Sequence, residues 1–123
     1  MAFDLENPPI DAPFSLTRWL AKLKEFFKAF YTVVNVTSTY TVNSSAHYVR
    51  ANATSGAFTV TLPSASLNIG RKIIIKKIDA SANAVTVGIM GSDTIEGSTS
   101  VSLAAQWDKV IVIGGTSGSW ERL

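Results

Sequence analysis

The chain has 123 residues, 46% of them hydrophobic and only 16% charged, with a net charge of +2. That length is about one domain, and the balance of charges excludes a dense basic platform of the kind nucleic acid requires. Cysteine is absent, which excludes a disulfide framework and a thiolate metal site.

Residues 1–14 carry Pro8, Pro9 and Pro13, which oppose helix and central-strand pairing, so the segment is predicted to be an extended arm. Its apolar residues Phe3, Leu5, Ile10 and Phe14 have no local core to enter, and docking on a neighbour is expected. MAFDLENPPIDAP is acidic and proline-broken, unlike a secretory signal, so synthesis in the cytoplasm is expected.

Ser15 is a plausible N-cap for a helix over Leu16 to Tyr31. Leu16, Trp19, Leu20, Leu23, Phe26, Phe27 and Phe30 recur at i, i+3, i+4 and i+7 and form one wide apolar stripe. Arg18, Lys22, Lys24, Glu25 and Lys28 occupy much of the other face, and they exclude a plain membrane span. Burial of such side chains stabilises by roughly 1.5–3 kcal/mol each, so the stripe is expected to pack on something. Its own β domain, copies of itself, another protein and a membrane surface all remain open. Residues 15–38 therefore read as an amphipathic helix and a linker, because Thr32 to Thr39 turn to β-branched residues that disfavour helix.

Short strands are predicted over Tyr40–Asn43, His47–Asn52, Ala57–Leu62, Lys72–Ile78, Ala84–Val87, Thr94–Glu96, Ser100–Leu103, Lys109–Ile113 and Trp120–Leu123. Gly, Pro, Asn and Asp clusters punctuate them. The fold class expected is mainly β: an N-terminal extended arm and one amphipathic α-helix, then a small antiparallel β-sandwich of jelly-roll type over residues 39–123. Ile73 to Ile75 and Val110 to Ile113 are apolar at consecutive positions, so both faces of those strands want cover. A second sheet supplies one cover, and a neighbouring subunit is expected to supply the other.

Chemistry is sparse. His47 is a lone strand histidine and reads as a packed or surface residue. Asp79, Asp93, Glu96 and Asp108 fall in predicted turns, where carboxylates serve local hydrogen bonds, and their spacing matches no EF-hand loop. Gly115-Thr116-Ser117-Gly118-Ser119 does not form a nucleophile elbow. Arg71-Lys72 and Lys76-Lys77 read as strand-end charges that keep an edge soluble. No catalytic residue, cofactor or metal is expected. Tyr40, Tyr48, Trp107 and Trp120 are candidate glycan contacts, since an aromatic ring stacks on a sugar face; the two tryptophans equally suit a core.

TYTV (39–42), ATSGAFTVTLPSAS (53–66), IIIKKIDASANAVTV (73–87), GSDTIEG (91–97) and DKVIVIGGTSGSWERL (108–123), in that order, resemble a β module of tailed-bacteriophage tail fibres and other virion appendages. The resemblance implies a non-enzymatic, trimeric structural protein located in the virion. It also implies a short tail-fibre or tail-appendage subunit, held to other virion proteins through residues 1–31; a host surface glycan is a candidate partner through the four aromatic residues named above, not through the resemblance. A capsid decoration (cement) or head-fibre protein is the alternative.

Overall fold

The computed structural model describes residues 16–28 and 32–123. Contacts divide the chain into two units, residues 1–30 and 31–123. In the first unit, α1 (Leu16–Lys28) confirms the helical reading over 13 residues. The arm over 1–14, the Ser15 cap and Phe30 lie outside the described residues.

The second unit is built from ten short strands: β1 (Thr32–Val36), β2 (Tyr40–Thr41), β3 (Ala46–Ala51), β4 (Phe58–Thr61), β5 (Lys72–Lys77), β6 (Val85–Gly88), β7 (Thr94–Ile95), β8 (Ser100–Leu103), β9 (Lys109–Gly114) and β10 (Ser119–Arg122). Every strand predicted from Tyr40 onward is present, with ends shifted by no more than a residue or two. β1 falls in the segment read as a linker; its β-branched run Thr32-Val33-Val34 pairs instead with β3.

The chain is mainly β, but the antiparallel, jelly-roll expectation is corrected. β1, β3, β5, β9, β10 and β7 form one six-stranded sheet in that order, and β2, β4, β6 and β8 form a four-stranded sheet. Both are mixed. β1 runs parallel to β3 and β3 to β5, while β2 runs parallel to β4 and β4 to β6. The cause is the route of the chain: from β1 to β9 each successive strand enters the opposite sheet. As far as β6 a strand thus lies parallel to its next-but-one neighbour rather than folding back on itself, and the intervening strand acts as the crossover that a parallel pair requires. Antiparallel pairing enters only where β8 joins β6, β9 joins β5 and β10 joins β9.

The inward side chains of both sheets make one core. Val34, Val49, Ile75 and Val110 lie side by side across the six-stranded sheet, and Phe58, Val85 and Leu103 do the same across the other. Trp120 is the largest fully buried side chain, and its indole N–H donates to the carbonyl of Pro63 at 3.1 Å. That bond satisfies a polar group which burial would otherwise leave costly. Pro63 begins the crossing from β4 to β5, which passes through a 3-10 turn at Ala65–Leu67. At the end of this crossing the Arg71 guanidinium donates to the carbonyls of Asn43 and Ala46, tying β5 to the β2–β3 turn. Arg71 is therefore a stitch between connections rather than an edge charge.

Gly114 closes β9 where the crossing lies against it: Gly70 N donates to Gly114 O, and Gly114 N to Arg71 O. A Cβ at this position would fall on the Asn68 carbonyl oxygen. Backbone cannot yield as a flexible side-chain tip can. Gly114→Ala is expected to lower unfolding free energy by about 2 kcal/mol, within the range for overpacked sites, as read from urea denaturation.

Candidate functional site

Strand alternation gives the six-stranded sheet an outward face on the side away from the four-stranded sheet. Register assembles two rows there. Val33 stands beside Tyr48, Tyr48 beside Ile74 and Ile74 beside Ile111, and Leu123 N donates to Ile111 O to extend the row. Tyr48, Ile74 and Ile111 are half-buried, while Val33 and Leu123 are exposed. Displaced along the same strands, Asn35, Arg50, Lys76 and Lys109 form a second row, in which Arg50 Nη1 donates to Asn35 Oδ1 at 2.8 Å. Among the described residues no carboxylate pairs with Arg50, Lys76 or Lys109. Like charges directly opposite on adjacent strands repel, with a cost of up to about 1 kcal/mol per pair.

Trp107 stands at the end of the cationic row, 56% exposed, with Lys76 Nζ 5.4 Å from the ring centroid. Its φ of 71° is left-handed, which for a non-glycine residue costs on the order of 1 kcal/mol. The loop is built to hold it. Ala104 and Ala105 N–H groups donate to Asp108 Oδ2, Trp107 N to Lys77 O at 2.8 Å, and Lys77 N to Asp108 O at 2.9 Å. Trp107 is thus an exposed aromatic held in a strained backbone beside the cationic row, with Lys76 against its ring.

Beneath that loop lies a buried ion pair. Lys77, fully buried, donates from Nζ to Asp79 Oδ2 at 2.8 Å and to Asp79 O at 3.2 Å. Asp79 Oδ1 accepts from Ala53 N, and Ser81 and Asn83 donate to Ala53 O. Lys76 and Lys77 do point to opposite faces, but neither keeps an edge soluble: β5 is central, and Lys77 is enclosed at the margin of the core. Burial pushes the Asp79 carboxyl up, yet hydrogen bonds from Lys77, Ser81 and the Ala53 and Ser81 backbone outweigh it and hold the group well below the usual carboxylate range.

The four candidate glycan contacts separate. Trp120 is enclosed with 0% exposure, so it has no face to offer a sugar, and that assignment is corrected to a core anchor. Tyr40 stands beside Val60 and packs against the core, with its hydroxyl buried. Tyr48 and Trp107 both lie on or beside the outward face. Tyr48 and Arg50 stand two apart in one strand, so their shared face was legible in the sequence, whereas Lys76 and Lys109 join them only through a register that links distant segments.

On α1, Leu16 and Leu20 are exposed, and Trp19, Leu23 and Phe26 are half-buried. The Phe27 side chain and Phe30 lie outside the described residues. No described helix is long and apolar enough to cross a membrane. Among the described residues no group of His, Asp and Glu gathers as a metal site, and Asp79, Asp93 and Asp108 serve backbone N–H groups in turns. His47 is half-buried in β3. No protein-family model and no curated protein sequence matches the chain.

Because the folded Asp79 carboxyl binds its proton less readily than the unfolded one, its contribution is fully present above the unfolded pKa of about 4 and is lost as pH falls below it. Urea midpoints are expected to fall from pH 5 to pH 3, with a shallower fall in Asp79→Asn. Lys77→Met leaves the carboxylate buried without its cation, and a loss of about 3–5 kcal/mol is expected by chemical denaturation at pH 7.

Proposed function

We propose that the chain is a non-enzymatic structural subunit of a tailed-phage virion, a short tail-fibre or tail-appendage protein working as a trimer. The observation that carries this reading is the outward sheet face. Val33, Tyr48, Ile74, Ile111 and Leu123 place an apolar row on a surface that the second sheet does not cover, beside an exposed Trp107. Apolar rows of this kind are covered in obligate assemblies. The ordered resemblance of residues 39–123 to virion appendage modules supplies the kind of assembly.

In this reading α1 and residues 1–14 attach the subunit to its copies or to another virion protein. The stripe Leu16, Trp19, Leu20, Leu23, Phe26, Phe27 and Phe30 is the adhesive surface, since an isolated helix this short is marginal in water without a packing partner. Host glycan contact, where the subunit makes it, falls to Tyr48 and Trp107. A capsid decoration role uses the same surfaces at a far higher copy number.

Immunogold labelling and quantitative mass spectrometry of purified particles test the reading. Label on tails at low copy number supports it, label over the shell at high copy number supports decoration, and particles without the chain overturn both. In the full chain, Leu23→Asp with Phe27→Asp is expected to abolish incorporation while β-domain unfolding stays within about 0.5 kcal/mol of the parent.

A further inference from the structure

The outward face of the six-stranded sheet sets an apolar row, Tyr48, Ile74 and Ile111, alongside a cationic row, Arg50, Lys76 and Lys109, with Trp107 at the end of the latter. A complementary partner carries carboxylates along one side and apolar groups along the other. The chain itself contains such a segment. Residues 3–14, FDLENPPIDAPF, hold Asp4, Glu6 and Asp11 with no lysine or arginine, interleaved with Phe3, Leu5, Ile10 and Phe14.

We propose that the N-terminal arm of a neighbouring copy lies across this face, between the two rows. Residues 3–6 alternate apolar and acidic in sequence, so an extended docking of them would set Phe3 and Leu5 toward Tyr48, Ile74 and Ile111 and Asp4 and Glu6 toward Arg50, Lys76 and Lys109. Same-side residues of the arm recur about every 6.8 Å and the strands beneath are about 4.8 Å apart, so two such residues span two to three strands.

The prolines choose a face over an edge. Pro8 and Pro9 have no N–H to give a strand, which weakens docking along an open sheet edge, whereas a sheet face asks for side chains alone. The contact is head to tail: one surface of each copy meets a different surface of the next, and such contacts close into rings when the rotation permits. It stands independently of any virion. A carboxylated glycan would satisfy the cationic row and Trp107 but would leave Tyr48, Ile74 and Ile111 without an apolar partner, which is why the arm is the better fit.

Reciprocal charge reversal in the full chain tests the contact. Sedimentation velocity over a concentration series compares the parent with an arm variant, Asp4→Lys with Glu6→Lys, a face variant, Arg50→Glu with Lys76→Glu, and their combination. Each pair alone is expected to weaken self-association by about tenfold or more, and the combination to return it to within about threefold of the parent. The arm variant leaves every β-domain residue unchanged, so its effect does not depend on how the face variant folds. A parent that is monomeric at every concentration, an arm variant that associates as the parent does, or a combination no better than the face variant would each overturn the proposal. Binding to alginate is measured in parallel. If the face variant loses alginate binding while self-association stays intact, the face serves a glycan and the proposal fails.

Discussion

The buried pair between Lys77 and Asp79 is the interaction on which several connections depend at once. Its carboxylate also receives the Ala53 and Ser81 N–H groups, while Ser81 and Asn83 donate to Ala53 O, so the segment after β3 and the turn after β5 are bound to one charge. The Lys77 backbone meanwhile bonds Asp108 and Trp107 in the loop before β9. Three connections distant in sequence thus converge on one lysine. A buried pair is a poor source of net stability against an apolar replacement, because desolvation offsets much of the Coulomb gain. Its worth lies in direction: hydrogen bonds and charge admit one arrangement of these loops, where apolar side chains would tolerate several.

Alternation of the chain between two sheets sets the remaining architecture. Because each step from β1 to β9 changes sheet, every strand turns one side toward a shared core and the other away from it. The outward side of the six-stranded sheet is the broader of the two, and it collects residues from five segments into neighbouring rows. The Lys77 anchor and this face belong together. The same β5 that sends Lys77 inward to Asp79 sends Lys76 outward to Trp107, so the strained Trp107 loop is held from beneath by the backbone of one residue and met from outside by the side chain of its neighbour.

Much of this was legible in the residues. The helix over Leu16–Lys28 follows from its apolar stripe, and the strands from short alternating runs between turn residues, since both signals are local. The consecutive isoleucines of β5 correctly indicated apolar side chains on both faces, with Ile73 and Ile75 in the core and Ile74 outside. Aspartates in turns served turns. The core role of Trp120 and the exposed role of Trp107 were not separable, because each stands at or just before the start of a predicted strand, where alternation has too few residues to fix a side.

The sequence by itself determined where the chain extends, where it turns and which positions alternate, because these depend on side chains a few residues apart. Only the tertiary structure decided which strands are neighbours. A two-residue period is identical in parallel and antiparallel pairing, so nothing local distinguishes a hairpin from a step into the opposite sheet. For the same reason the row Arg50, Lys76, Lys109 and the burial of Lys77 exist only once register is set. Each depends on contacts between segments far apart in the chain, whose free energy no single segment carries.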